Sequence, residues 1–112
     1  VTKYLISFPS AAMQASQAEL PAVGDAARAV VEEAKRDGVY VFAGGTHEGV
    51  DPVRVGADGT VSSKLYPNSR VTGGFTVLEL PTRADAIEWA RRMASACRCD
   101  QELREFMDDP AS

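Results

Sequence analysis

The sequence predicts an α+β fold, an antiparallel sheet with helices on one face. Three observations predict it. Short β-rich runs bracket each half of the chain, two longer segments repeat apolar residues at helical spacing, and Asp58-Gly59 sits between two β-type runs in the middle. In chain order the elements read β-α-β, a hairpin excursion, then β-α-β. Two such halves make a ferredoxin-like sheet.

Tyr4 to Phe8 is the first strand, with Tyr4, Ile6 and Phe8 alternating against Leu5 and Ser7. Pro9 and Ser10 break it, and the small polar residues from Ala11 to Gln17 read as a loop. Ser16 and Glu19 have capping-box spacing, with Pro21 close behind. From Leu20 to Asp37 the residues Leu20, Val23, Ala27, Val30, Val31 and Ala34 form one apolar helical stripe. Lys35 and Arg36 suit the negative end of its dipole, and Gly38 supplies a left-handed cap.

Val39 to Ala43 is the second strand, ending at Gly44-Gly45. A polar loop, Thr46 to Asp51, leads to the hairpin, in which Val53 to Ala57 and Thr60 to Ser63 flank Asp58-Gly59. A second loop, Leu65 to Thr72, precedes Gly73-Gly74 and the strand Phe75 to Leu80. After Pro81, Thr82 is a good N-cap with Asp85 in the first turn. Ala86, Ala90, Met93, Ala94 and Cys97 mark the second helix, and Gln101 to Phe106 the last short strand. Residues 107–112 read as a fraying polar tail.

The 112 residues fit one domain spanning 1–112, with 45% hydrophobic and 25% charged residues. A net charge of -4 argues against a nucleic-acid binder, which needs a basic patch, and against an anionic membrane surface as partner. No apolar run approaches the roughly 18 residues of a membrane span. The alternating N-terminal residues read as a strand rather than a signal peptide, so a cytoplasmic protein is expected. Cys97 and Cys99 fit reduced thiols better than a disulfide, and their Cys-x-Cys spacing suits neither a redox pair nor a four-ligand zinc site. No cofactor and no metal are expected.

A sheet covered on one face alternates apolar with polar residues, and these strands do not. Strand two offers Val39, Val41 and Ala43 on one side and Tyr40 and Phe42 on the other. A second copy of the same sheet is the simplest cover for the other face, which makes a homodimer the expected state.

Lys3-Tyr4-Leu5-Ile6, the run Ala34-Lys35-Arg36-Asp37-Gly38-Val39-Tyr40-Val41, Gly44-Gly45, the block Gly73 to Glu79, Ala86-Ile87-Glu88-Trp89-Ala90 and Glu102-Leu103-Arg104 follow one another in an order and spacing that resembles the YCII-related proteins, in particular their DGPF subgroup. The resemblance runs nearly end to end. It implies a dimeric α+β barrel, two sheets face to face, with a pocket in each protomer near the space between the sheets. It also implies a setting near extracytoplasmic-function sigma factors. Two positions depart from the family pattern. The signature Asp-Gly-Pro-Phe/Tyr falls near Ser63-Lys64-Leu65-Tyr66, where only Tyr66 remains, followed by Pro67. The helix-one histidine of the better-studied members falls at about Ala27, which cannot transfer a proton.

Six residues are candidates for a site. His47, the only histidine, lies in a polar loop with Glu48 and Asp51, the setting of a general base or of an exposed loop residue. Tyr66, Asn68 and Arg70 replace the signature loop and combine a phenol, an amide and a guanidinium suited to a carboxylate or phosphate ligand, or to a solvated loop. Arg70 gains weight from the adjacent Gly73-Gly74, where backbone can approach a ligand. Asp25 and Arg28, three apart on helix one, flank the missing histidine and equally make a surface ion pair. Glu102 and Arg104 share one side of the last strand and read as structural. Two functions remain open. One is a homodimer with a small-molecule pocket, with acid–base chemistry resting on His47 and Arg70, then Asp25 and Tyr66. The other is a non-enzymatic interaction or regulatory protein.

Overall fold

A computed structural model describes residues 1–111. The elements in order are β1 (Thr2–Phe8), a single 3-10 turn (Ser10–Ala12), α1 (Leu20–Arg36), β2 (Tyr40–Gly45), β3 (Arg54–Val55), β4 (Val61–Ser62), β5 (Gly74–Leu80), α2 (Arg83–Cys97) and β6 (Glu102–Glu105). Four strands form one antiparallel sheet in the order β2-β5-β1-β6, and β3-β4 stand apart as a hairpin. This order, with both helices on one face, is compatible with a ferredoxin-like fold.

The helix ends show why these segments start and stop where they do. Glu19 Oε1 accepts the Ser16 backbone N–H at 3.0 Å, and Pro21 sits in the first turn, where a missing N–H leaves no hydrogen bond unmade. At the other end Gly38 N–H and Val39 N–H donate to the carbonyls of Lys35 and Ala34, closing α1 in a Schellman arrangement. Thr82 caps α2: its Oγ1 accepts from Asp85 N–H at 3.1 Å and donates to Asp85 Oδ2 at 2.9 Å. Arg98 ends α2 in the left-handed region, φ 56, and its guanidinium donates to Glu19 Oε2 at 2.8 Å. That contact ties the end of α2 to the start of α1. The Ser16 backbone and hydroxyl, and then Arg98, hold the Glu19 carboxyl below its usual range.

The core lies between the sheet and the helices. Tyr4 and Ile6 of β1 and Leu78 and Leu80 of β5 meet Val30 and Ala34 of α1 and Ala86, Trp89, Met93 and Cys97 of α2. Ile6, Leu78 and Leu80 are the largest fully buried side chains. Trp89 is a core residue, with the Arg92 guanidinium 4.4 Å from its ring centre.

The opposite face of the sheet carries no helix. Cross-strand pairing sets Leu5 beside Val77 and Arg104, Ser7 beside Phe75 and Glu102, and Phe42 beside Val77. Leu5, Phe42, Phe75 and Val77 therefore share this face, and Phe42 is 55% exposed. The ion pairs Lys3–Glu79 at 3.2 Å and Arg104–Glu102 at 3.0 Å flank them.

Strand two corrects the expected alternation. The register shifts between Tyr40, opposite Leu78, and Phe42, opposite Val77, so Val41 is the extra residue of a bulge. Tyr40 and Ala43 thus face the helices while Phe42 faces away, and Val41 does not join Ala43. The strands of the hairpin are also shorter than the β-type runs that contain them. The turn Gly56–Thr60 takes up the middle, with Gly56 N–H bonded to Thr60 O at 2.7 Å. Residues 107–111 of the expected tail form no helix or strand, and Ser112 lies outside the described residues.

The molecule spans 43 × 43 × 20 Å with a radius of gyration of 15.6 Å. A chain of this length is ordinarily nearer ~13 Å. Its accessible surface is 7783 Å². A monomer of this mass is expected to expose roughly 6,000 Å².

Gly73 adopts φ +84, and a Cβ there would run into the Phe8 carbonyl oxygen and lie 2.7 Å from Ser10 N. Gly59 adopts φ +90 at the hairpin tip with open space around it. Gly73→Ala is expected to lower stability by more than ~2 kcal/mol in urea unfolding, because strain and collision add. Gly59→Ala should lose less, about 1–2 kcal/mol, from backbone strain alone. Equal losses would mean that the close approach at Gly73 carries no energetic weight.

Candidate functional site

Helix α1 rests on the core through Val23, Val30 and Ala34, and its flank stands off the sheet. Leu20, Gly24, Ala27, Arg28, Val31 and Lys35 fall on that flank and line a cleft of about 590 Å³ over the ends of β2 and β5. Ala43, Gly44, Gly45, Gly74 and Thr76 line it from the sheet, Tyr40 from β2, and Phe8, Met13, Met93, Cys97 and Gln101 complete it. Gly45 and Gly74 leave room on the sheet side, the latter for the Phe8 ring, and most of the remaining wall is apolar.

The polar groups of the cleft are few and placed by neighbours. Arg28 donates to Asp25 Oδ1 at 3.1 Å, both side chains being largely exposed. Lys35 Nζ lies 3.5 Å from Glu32 Oε1 and 5.0 Å from the centre of the Tyr40 ring. Thr76 is buried to 6% exposure, and the Gln101 amide donates to the Cys99 carbonyl at 3.3 Å. Cys97 is a free thiol; burial, and secondarily Cys99, pushes it up to about 11. Burial, then Asp100, also raises Cys99. Both thiols stay protonated near neutral pH and are poor nucleophiles.

The helix-free sheet face has two smaller concavities. One, about 530 Å³, is lined by Leu5, Ser7, Phe75, Arg70, Glu102 and Arg104 among others. The second, about 450 Å³, lies where residues 106–110 run past Lys3, Val77 and Glu79.

The expected site residues are divided among these places. Arg28 lines the helix-side cleft, with Asp25 as its ion-pair partner. Arg70 lines the sheet-face concavity, where its guanidinium donates to the neighbouring Ser69 carbonyl at 3.0 Å. His47, Tyr66 and Asn68 are exposed and line none of the three. His47 Nδ1 accepts the Gly49 N–H at 3.0 Å, which leaves its proton on Nε2, while Glu48 accepts from Thr46 at 3.5 Å instead of from the imidazole. Tyr66 is 75% exposed, with the Arg54 guanidinium 5.5 Å from its ring centre. No hydrogen bond or ion pair joins His47, Asp25, Tyr66 and Arg70 to one another among the described residues.

The glycine pair that gave Arg70 weight has another occupant. A Cβ on Gly74 would lie 2.5 Å from the Phe8 ring, so Gly73-Gly74 makes room for the chain's own Phe8–Ser10 segment and not for a ligand. Cleft residues beyond the expected set are Glu32, Lys35, Tyr40, Thr76 and Gln101. The signal for the first two was available: Gly24, Arg28, Val31 or Glu32, and Lys35 recur at three- and four-residue steps beside the core stripe. Among the described residues no group of three or more His, Cys, Asp or Glu side chains is arranged to hold a metal ion. No described helix is long and apolar enough to cross a membrane. No protein-family model matches the chain, and no curated protein matches it at a significant level.

The raised Cys97 thiol fixes a pH dependence. The folded state keeps a proton that the unfolded chain loses first, so the contribution of Cys97 to stability is fully present below the ordinary thiol range and is lost as pH climbs toward 11. Urea unfolding across that window should show the decline in the native protein and a smaller one in Cys97→Ala. Alkylation of Cys97 at neutral pH should be slow until denaturant is added; rapid labelling of the folded protein would contradict its burial.

Proposed function

We propose that this chain is the subunit of a YCII-related homodimer that binds a small molecule in the cleft between α1 and the sheet. The cleft itself carries this reading. It combines a low glycine-containing sheet side, apolar walls and a few oriented polar groups, the usual make-up of a small-molecule site. It also moves the expected pocket from the space between two sheets to the helix side of one. Ala27, where the resemblance would put a proton-transferring histidine, lines this cleft. His47 does not, so the reading is of binding without an imidazole, and the weight given to acid–base chemistry falls.

The dimer of the proposed barrel rests on the other face. Leu5, Phe42, Phe75 and Val77 make an apolar strip that two helices on the far side leave uncovered. The surface exposed beyond a typical monomer, about 1,800 Å² from the 7783 Å² observed, is of the size each subunit gives to a large obligate interface. The same strip favours one second reading, a regulatory protein that docks a different protein there, as the sigma-factor setting would require.

Two measurements test this. In a thermal-shift screen of metabolites, a true ligand at saturating concentration should raise the melting temperature by roughly 10 °C. Ala27→Trp, which fills the cleft, should abolish the shift. If no compound raises it, the binding reading fails. Sedimentation should show a dimer at micromolar concentration that Val77→Lys dissociates, whereas a monomeric native protein would remove the barrel and favour the docking reading.

A further inference from the structure

We infer that the arm formed by residues 46–72 is a clasp whose valine side lies on the second copy of the chain. The inference rests on the homodimer reading above and says which further part of the chain the partner meets.

The hairpin is amphipathic. Arg54 pairs with Ser62 and Val55 with Val61, so the valines share one side and Val53 continues it by alternation. Val53, Val55 and Val61 are 56%, 63% and 63% exposed. The other side already has a contact within the chain, the Arg54 guanidinium over the Tyr66 ring. The polar side is therefore partnered and the apolar side is not. A one-sided pattern of this kind is what a surface-covering hairpin needs, and a solvated one does not need it.

The arm is also built to hold its shape. Gly56 N–H to Thr60 O at 2.7 Å, Gly59 N–H to Gly56 O at 2.9 Å and Thr60 N–H to Asp58 Oδ1 at 2.9 Å close the tip. At the root, Thr46 N–H bonds Gly73 O at 2.9 Å and Gly73 N–H bonds Thr46 Oγ1 at 3.1 Å. Two-stranded hairpins of this length are marginal alone in water, so the apolar side needs a surface to rest on.

Area and continuity point to a second copy as that surface. The excess exposed here, about 1,800 Å², is more than the roughly 800 Å² that a standard interface takes from each partner, so it leaves area for the arm as well as the sheet face. The arm's return passes directly into the sheet face: Arg70, Val71 and Thr72 line the same concavity as Leu5, Phe75 and Arg104. A subunit seated on that face meets the arm's root first. Two-fold symmetry then gives each subunit one clasp on the other.

The test measures dimer dissociation by sedimentation for the native chain, the double variant Val55→Lys/Val61→Lys, and Ser62→Lys on the opposite side of the hairpin. The double variant should weaken the dimer at least roughly tenfold with unchanged far-UV circular dichroism, because two apolar contacts are lost. Ser62→Lys should leave the dissociation constant within about twofold, because Ser62 stands on the side of the hairpin away from the valines. Hydrogen exchange on the native protein guards against misfolding of the variant: amides of residues 54–62 should slow as concentration drives dimerisation. A native monomer at high micromolar concentration overturns the homodimer and the clasp together. A native dimer whose affinity ignores the double variant, with arm amides insensitive to concentration, overturns the clasp alone. Equal weakening by Ser62→Lys overturns the assignment of the valine side.

Discussion

The packing of α1 and α2 onto Ile6, Leu78 and Leu80 is the contact on which the other features of this protein depend. Burying large aliphatic side chains of this kind contributes about 1.5–3 kcal/mol each and fixes which face of the sheet is inside. Because side chains alternate along a strand, the same choice puts Leu5, Phe75 and Val77 outside. The described residues form two α-helices, and both pack on the first face. The apolar strip on the second face is thus a consequence of how the first face was covered.

The cleft has the same origin. Val23, Val30 and Ala34 are the buried residues of α1, and they hold the helix by one edge. The other edge of the apolar stripe, Leu20, Ala27 and Val31, is left beside a sheet region where Gly45 carries no side chain and the Phe8 ring takes the space beside Gly74. Arg28 and Lys35, with their carboxylate partners Asp25 and Glu32, keep that edge polar toward solvent. The cleft is therefore a packing remainder with charged groups at its mouth, which fits holding a ligand better than transforming one.

Much of the architecture was legible in the residues. Periodicity located both helices, Thr82 and Asp85 marked the start of α2, and Asp58-Gly59 marked the hairpin. The bulge at Val41 was not legible, because Val-Tyr-Val-Phe-Ala reads equally well as unbroken alternation and the extra residue is set by the partner strand. The site was harder still. His47, Tyr66 and Asn68 were chosen for their chemistry, but a residue type does not say where its loop goes, and this loop leaves on the arm. Arg28 was singled out for flanking the place of the family histidine on helix one, where position along the chain does fix direction, and it lines the cleft. Tyr40, Thr76 and Gln101 come together only through long-range pairing, which no local pattern encodes.

The central strand has one more consequence, in the order of synthesis. Both neighbours of β1 come from the last third of the chain, Gly74–Leu80 on one side and Glu102–Glu105 on the other. As the chain leaves the ribosome, Tyr4, Ile6 and Phe8 are made before either neighbour and must wait, unpaired, until β5 follows. Folding with such distant pairings is slow, and an apolar strand without partners is prone to join another nascent chain. The helix α1, complete long before β5 and packed on Tyr4 and Ile6 in the folded chain, is an early element able to shelter β1, so the segment from β1 to β2 is expected to depend on transient helix–strand contact, or on a chaperone, until the sheet can close.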